Sequence, residues 1–245
     1  ISATTPKYST PNDYTFRVGV VATQLAKDAA DFLSGKGKRL GIIFINNDFG
    51  KGMSESFKKY YSGETVAEET FDANAADFRT QLLKIKNSNA TMIFLTGQLK
   101  ESGLILKQAT ELGLGAKFFS DLYSIEGPDF LTAAGESAEG VVYIAPEFDS
   151  GSADPAVANF VTAYRNKYGE DPVPFAAQAY DGLTALAKVM KNCVNPEDTD
   201  CARNELMKLD FEGASGRIRF DINGDVQKPV ELKTIVNGTF VRYKG

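Results

Sequence analysis

Hydrophobic and polar positions along the chain form two recurring patterns, short apolar runs and longer stretches with a helical repeat. The run "RLGIIFIN" is rich in β-branched residues, is bounded by Gly and by Asn-Asn-Asp and is too short for a helix, so it predicts a buried strand. The following stretch "GKGMSESFKKYYSG" places Met53, Phe57, Tyr60 and Tyr61 on one helical face and closes at Gly63. This spacing predicts an amphipathic helix.

The same two patterns then alternate as far as about residue 146. Strands are predicted at "ETVAEETF", "TMIFLTG", "KFFSDL" and "EGVVYIAP", and helices at "DFRTQLLKIKNS" and "KESGLILKQATELGLG". Strands and helices that alternate with these lengths predict an α/β fold in which a parallel sheet is covered by helices on both faces.

The pattern changes in the last hundred residues. "DPAVANFVTAYRNKYG" predicts a helix that begins with Asp154 as N-cap and Pro155 in the first turn, and a second helix is expected from about Phe175 to Lys191. Two Asn-Gly pairs, at Asn223 and Asn237, then separate segments of alternating apolar and polar residues. Because such pairs favour tight hairpin turns, the tail is predicted to be antiparallel.

Composition and charge limit the possible partners. The chain has 245 residues, of which 43% are hydrophobic and 24% charged, and this is ordinary for a globular protein. A net charge of -5 gives no basis for binding a nucleic-acid backbone. The apolar runs are far shorter than the roughly 20 residues that cross a bilayer, so no membrane span is expected.

The residue types present exclude several kinds of chemistry. The absence of His removes histidine acid–base catalysis, the Ser-His-Asp and Cys-His systems and the usual zinc sites. No glycine-rich phosphate motif follows a predicted strand, and we therefore expect neither a cofactor nor a metal. An enzyme would have to rely on carboxylate, Lys or Tyr groups.

The two cysteines, Cys193 and Cys201, flank a polar segment that contains a proline. A short turn could bring them together as a disulfide in an oxidising compartment, or both could be unpaired thiols in a cytosolic chain. Spacing alone does not decide between these alternatives.

The segment "NNDFGKG" follows the carboxyl end of the first predicted strand and opens a helix. Open α/β sheets bind ligands at this position, where backbone N–H groups can receive a carboxylate. A plain polar turn is the alternative interpretation.

Seven segments occur in an order that resembles one family: "NNDFGKGMSESFKKYY", "DFRTQLLKIKNSNATMIFLTG", "LILKQATELGLGAKFF", "EGVVYIAP", "AYRNKYGEDP", "AAQAYDGLTALAKVM" and "GRIRFDINGDV". The chain resembles, over essentially its whole length, the leucine/isoleucine/valine-binding proteins of bacterial amino-acid transporters. The resemblance implies the type I periplasmic-binding-protein fold, an α/β architecture with two lobes of parallel sheet flanked by helices. It assigns residues 1–17 and 147–213 to an incomplete first lobe, and residues 18–146 and 214–245 to the second lobe.

The resemblance also implies a set of ligand-binding residues. In the family "SATTP" holds the ligand α-carboxylate and lies well inside the mature protein, so Ser2, Ala3 and Thr4 are expected to do so here, and roughly a hundred residues are expected to precede them. The other expected ligand-binding residues are Phe49, Gln98, Asp121, Leu122 and Tyr180. Asp121 is expected to pair with the ligand ammonium, whereas a core role is the alternative for Tyr180.

Two departures from the family pattern leave the exact ligand open. Phe49 keeps an apolar wall but lacks a phenol that could donate a hydrogen bond. Gln98 and Leu99 stand where another aromatic residue is usual.

The function implied by the resemblance is that of a periplasmic or otherwise extracytoplasmic solute-binding component of an ABC transporter. It would bind a small amino acid, branched-chain or similar, in a cleft between the lobes and deliver it to a membrane permease without catalysis. Export would also favour a disulfide between Cys193 and Cys201.

Two alternatives are a carboxylate-based α/β hydrolase that uses Asp48 with Asp121, and the ligand-sensing domain of a receptor. The lack of His and of a G-x-S-x-G segment counts against a hydrolase.

Overall fold

The computed structural model describes residues 9–34 and 39–244, which divide into two compact units. Unit 1 contains the described residues up to Val21 together with Pro146–Pro229, and unit 2 contains Ala22–Ala145 with the residues from Val230 onward. The chain therefore passes from one unit to the other three times.

The unit boundaries differ in part from those expected. The middle boundary lies within one residue of the expected position, whereas the first follows Val21 and the third follows Pro229. Residues 214–229, expected in the second lobe, belong to unit 1 because Ile218, Phe220 and Val226 are part of its apolar core.

Unit 2 is built on a seven-stranded sheet with the strand order β2-β1-β3-β4-β5-β8-β9. The first five of these strands pair in parallel, and β8 and β9 form an antiparallel hairpin. The strands are β1 (Arg39–Ile45), β2 (Glu64–Phe71), β3 (Met92–Thr96), β4 (Lys117–Asp121), β5 (Val142–Pro146), β8 (Val230–Val236) and β9 (Thr239–Arg242).

In the described residues of unit 2, helix α1 (Ala22–Leu33) precedes β1, and five α-helices lie between strands: α2 (Asp48–Tyr60), α3 (Arg79–Asn87), α4 (Leu99–Glu111), α5 (Leu122–Ile125) and α6 (Pro128–Ala134). The central strands are apolar on both faces, since β1 is buried from Leu40 to Ile45 and β3 throughout. The Phe57 ring of α2 stacks on Phe94 of β3 with centroids 4.3 Å apart. Helix α2 is thereby fixed to the centre of the sheet.

The parallel α/β pattern predicted from the sequence is confirmed, but α1, α5 and α6 were not anticipated. Helix α1 buries four alanines and two leucines at helical spacing, and this buried set lacks the large aromatic side chains that mark the inner face of α2. Helices α5 and α6 have only 4 and 7 residues, too few for a periodic pattern to be visible. Tyr60, predicted on the inner face of α2, is 39% exposed because the helix ends there.

Unit 1 contains three α-helices, α7 (Pro155–Tyr168), α8 (Pro174–Met190) and α9 (Thr199–Leu206), and the hairpin β6 (Asp210–Gly213) with β7 (Gly216–Arg219). The predicted start of α7 is confirmed, since the Asp154 side chain accepts a hydrogen bond from Ala156 N. Gly169 ends this helix with a φ of 76°, in the left-handed region that glycine adopts without steric strain.

The predicted antiparallel tail is confirmed, but its two Asn-Gly turns lie in different units. Asn237 and Gly238 have positive φ values of 50° and 69° and join β8 to β9 in unit 2. The turn at Asn223 lies in unit 1, where Phe220 and Val226 form an antiparallel bridge.

The disulfide between Cys193 and Cys201 is present, with the two Cα atoms 5.9 Å apart. It joins the end of α8 to α9, which begins inside the segment expected to be a loop. Asp198 caps α9 by accepting a hydrogen bond from Cys201 N, so the second cysteine is held in the first turn of a helix.

A buried ion pair joins the segment before α1 to the Asn223 turn. Arg17 Nε lies 2.6 Å from Asp225 Oδ1, and Arg17 Nη2 lies 2.7 Å from Asp225 Oδ2. The Ser9 hydroxyl donates to the same carboxylate over 3.0 Å. This bidentate arrangement compensates the cost of removing both charges from water.

We expect loss of the disulfide to destabilise unit 1. Its ends are 8 residues apart in sequence. Because the cross-link restricts the unfolded chain, the Cys193→Ser/Cys201→Ser variant should lose about 2–3 kcal/mol in free energy of unfolding. Urea unfolding, followed by NMR signals of residues in unit 1, measures this loss. The intact mass of the unmodified protein before and after reduction verifies that the bond is present. Superimposable unfolding curves would contradict the expectation.

Replacing Asp225 should be more costly than replacing an exposed acid. Asp225→Ala leaves the buried Arg17 guanidinium without its carboxylate, and we expect a loss of about 3–5 kcal/mol. Asp31→Ala is the matched control, because Asp31 forms an exposed pair with Lys27 on α1 and should lose less than about 1 kcal/mol. Equal losses in urea unfolding would show that burial of the Arg17 pair has no energetic consequence.

Candidate functional site

The carboxyl ends of β1, β3 and β4 lie at one edge of the unit 2 sheet, because these strands are neighbours and run parallel. β1 and β3 lead through short loops into α2 and α4, and β4 leads directly into α5. Ligands of open parallel sheets bind at this edge, so we take these three connections from strand to helix as the candidate site.

The loop after β1 has a closely constrained backbone. The Asn47 side chain caps α2 by accepting a hydrogen bond of 2.9 Å from Gly50 N. A Cβ atom at residue 50 would lie 2.0 Å from the backbone oxygen of Ile45, so only glycine allows α2 to approach the strand this closely. The prediction that "NNDFGKG" opens a helix is confirmed, and the turn holds Phe49 half-buried in the first turn of α2.

Two aromatic side chains meet at this edge. The rings of Phe49 and Tyr123 pack edge to face, with centroids 5.8 Å apart and an interplanar angle of 86°. Both side chains are half-buried, so part of each ring faces solvent. Tyr123 is absent from the set of ligand-binding residues predicted from the sequence, because a four-residue helix shows no periodic pattern that would indicate its direction.

The Asp121 side chain, at the end of β4, has no solvent exposure. Its Oδ1 accepts hydrogen bonds from the backbone N–H groups of Tyr123 and Ser124, at 2.9 and 3.2 Å. Its Oδ2 accepts from the hydroxyls of Thr96 and Ser124, each at 2.9 Å. The Ser124 hydroxyl in turn accepts a hydrogen bond from Gly97 N over 2.8 Å. One side chain thus connects the loop after β3 to the loop after β4.

Burial is the dominant electrostatic influence on Asp121. It raises the pKa of this carboxyl from 3.8 to about 6, against the opposing effect of the hydrogen bonds that favour the charged form. A ligand ammonium would have to displace one of these donors to reach the carboxylate. The pairing expected from the sequence therefore stays a prediction.

The other residues predicted from the sequence occupy different environments. Leu122 is only 1% exposed and belongs to the core of unit 2. Gln98 is exposed at the start of α4, and its side chain makes no capping hydrogen bond. Tyr180 lies on α8 of unit 1, is 51% exposed and packs its ring 5.0 Å from that of Phe160. Ser2, Ala3 and Thr4 lie outside the described residues.

The candidate site lacks the paired accessible carboxylates that a glycosidase-type hydrolase requires. Asp48 is exposed in the first turn of α2, whereas both oxygens of Asp121 are engaged inside the unit. Within residues 9–34 and 39–244, no group of three or more His, Cys, Asp or Glu side chains could hold a metal ion. The helices of the same ranges are each too short or too polar to span a bilayer.

Comparison with known protein families gives a match over residues 1–238 to the family described as "Periplasmic binding protein". The chain belongs to this family. Its members are solute-binding proteins and not enzymes, and this finding overturns the hydrolase alternative.

Curated relatives are similar over much of the chain. It is 24% identical over 196 residues to the leucine-, isoleucine-, valine-, threonine- and alanine-binding protein of Pseudomonas aeruginosa, a match that covers 78% of this chain and 51% of the relative. It is 25% identical over 239 residues to Leu/Ile/Val-binding protein homolog 1 of Brucella abortus, covering 93% of this chain and 62% of the relative. The chain thus spans about half to two thirds of the length of these relatives.

Solved structures confirm the predicted type I periplasmic-binding fold. The leucine binding protein LivK of Thermotoga maritima superposes with a TM-score of 0.84 at 25% identity, covering 93% of this chain and 66% of that protein. A second match is LivJ, the branched-chain amino-acid transporter substrate binding protein of Streptococcus pneumoniae, which was solved in complex with isoleucine. It superposes with a TM-score of 0.78 at 29% identity, covering 91% of this chain and 64% of that protein.

Because the pKa of folded Asp121 is raised to about 6, its ionisation opposes folding. The stabilising contribution of this group is complete below about pH 3.8 and is lost as pH rises through about 6. Relative to Asp121→Asn, which keeps the size and does not titrate, the unmodified chain should lose roughly 2 kcal/mol in free energy of unfolding between about pH 4 and pH 7.

Urea unfolding followed by the methyl NMR signals of Leu95 and its neighbours in unit 2 measures this difference at each pH. The exposed Asp129→Asn substitution is the matched control, with no comparable pH trend expected. A difference between the unmodified chain and Asp121→Asn that stays constant with pH would contradict the raised pKa.

Proposed function

We propose that this chain is the solute-binding component of an ABC transporter and binds a small amino acid, branched-chain or similar. The edge-to-face pair of Phe49 and Tyr123 at the carboxyl edge of unit 2 is the observation that carries the proposal. It offers apolar surface at the position where parallel sheets receive ligands, in a chain whose relatives are named for leucine, isoleucine and valine.

The chemistry around this pair suits a zwitterion with an aliphatic side chain. Partly exposed aromatic rings pack well against branched hydrocarbon. The N-termini of the thirteen-residue helices α2 and α4 carry partial positive charge that favours a carboxylate. The exposed Gln98 side chain supplies an amide that can donate to or accept from the ligand. The assignment of Ser2, Ala3 and Thr4 to the ligand carboxylate, and of Tyr180 to the ligand, is part of the same proposal.

In this proposal Asp121 is a positioning residue. Its bonds to Thr96 and Ser124, together with the Ser124 bond to Gly97, fix the loop that carries Gln98 relative to helix α5, which carries Tyr123. A preformed arrangement of this kind lowers the entropy cost of binding. Direct pairing of Asp121 with the ligand ammonium remains a prediction, and ligand binding to the Asp121→Asn variant would test it.

The transport setting is also proposed. A disulfide persists in an oxidising compartment, so the Cys193–Cys201 bond supports a periplasmic or extracytoplasmic location. There the membrane permease of the transporter would be the partner that receives the solute.

Isothermal titration of leucine, isoleucine and valine, with lysine as a charged control, tests the proposal. We expect saturable binding of at least one branched-chain ligand, no product formation, and affinity about tenfold weaker in Phe49→Ala because an apolar contact is lost. Tyr60→Ala, at the other end of α2, should bind normally. Product formation from a bound ligand, or unchanged affinity in Phe49→Ala, would contradict the assignment.

A further inference from the structure

A cavity lies in unit 2 at the amino edge of the sheet, opposite the candidate site. It has a volume of about 390 Å³ and opens where β3, β4 and β5 begin, with Met92, Lys117 and Val142 among its lining residues. Cavities that hold small molecules in proteins start at about 300 Å³, so its size is sufficient for a small ligand.

The floor of this amino-edge cavity is apolar. Leu106 and Ala109 of α4, each 2% exposed, line it together with Phe119 of β4. Phe32 of α1 forms one wall, and its ring stacks on that of Phe119 with centroids 5.4 Å apart. A planar or branched hydrocarbon group would therefore meet carbon surface from two helices and a strand.

The rim of the cavity is polar, and two of its described residues, Lys117 and Glu139, carry charges of opposite sign. Lys117 is exposed at the start of β4, and none of the ion pairs among the described residues includes it. Glu139 also lines the cavity, but its two oxygens accept hydrogen bonds from the backbone N–H groups of Asn237 and Gly238, at 2.9 and 2.6 Å. Among the described lining residues Lys117 alone carries a positive charge that could face a ligand carboxylate, whereas the two backbone N–H groups hold the Glu139 carboxylate in place.

We propose that the amino-edge cavity binds a small carboxylate with an aromatic or branched aliphatic body. The hydrocarbon body lies on the Leu106, Ala109 and Phe119 floor, and the carboxylate faces Lys117. The site is separate from the candidate site described above, because Lys117 and Asp121 are the opposite ends of β4, about 13 Å apart at the usual rise per residue of a strand. The inference does not rest on the proposed function.

Three probes that share one skeleton test the proposal by methyl NMR of the intact chain. Phenylacetate, 2-phenylethanol and 2-phenylethylamine carry a negative, a neutral and a positive head on the same ring. We expect saturable shifts of the Leu106, Ala109 and Leu114 methyl signals, tightest with phenylacetate and weakest with the amine. These signals report the amino edge and are distinct from residues at the carboxyl edge.

Variants separate the charge from the hydrocarbon contribution. Lys117→Ala should weaken phenylacetate binding about two- to fivefold, as expected for a partly exposed ion pair, and Lys117→Arg should restore it. Lys100→Ala, on the first turn of α4, is the matched control and should bind normally. Ala109→Phe fills the floor and should abolish binding. Because that variant could disturb folding, Ala116→Phe at the half-buried wall serves as a second filling substitution.

The possible outcomes decide the proposal. Saturable shifts at the amino edge that depend on the negative head and disappear on filling the cavity support it. No saturable shift at these methyl groups, equal binding of all three heads, or persistent binding in a folded filled variant overturns it. Shifts confined to methyl groups at the carboxyl edge, such as those of Thr96 and Leu122, would assign the probe to that edge and likewise overturn it.

Discussion

The candidate site depends on one buried carboxylate. Asp121 has no solvent exposure, and a polar group in that position is tolerated only when its hydrogen bonds are made inside the protein. The donors come from Thr96 at the end of β3 and from Tyr123 and Ser124 after β4. Separating the two segments would remove the Thr96 bond to the Asp121 carboxylate and the bond from Gly97 N to the Ser124 hydroxyl, so these bonds hold the end of β3 and the start of α5 together.

Unit 1 also contains a buried carboxylate whose hydrogen bonds join two segments of the chain. The buried Asp181 of α8 accepts hydrogen bonds from the backbone N–H groups of Ala214 and Ser215 and from the Ser215 hydroxyl. The Lys228 ammonium donates hydrogen bonds to the backbone carbonyl oxygen and to the hydroxyl of Ser215, at 2.6 and 2.8 Å. Burial lowers the pKa of this amine to about 8. These bonds tie the segment from Ala214 to Lys228 to α8, and the structure accordingly places it in unit 1.

The strands and the long helices could be predicted because short apolar runs and helical spacing are local signals, and the segment "ETVAEETF" coincides with the observed strand β2. Contacts between segments that are distant in sequence leave no comparable pattern in the sequence. The Asn-Gly pairs at Asn223 and Asn237 are equivalent in sequence, yet Phe220 and Val226 anchor the first in unit 1. The sequence indicated an acid after β4, but the burial of Asp121 and the contact of Tyr123 with Phe49 depend on neighbours contributed by other strands.

Amide hydrogen exchange with and without saturating isoleucine, read by mass spectrometry at peptide resolution, tests the central claim most directly. The account predicts slower exchange in the peptides that contain Phe49, Gln98 and Tyr123, because ligand at the carboxyl edge shields the loops and stabilises the helix starts. Peptides at the amino ends of β3 and β4 should be unaffected. Unchanged exchange in all three loops at a concentration where calorimetry shows saturation would contradict the placement of the ligand at this edge.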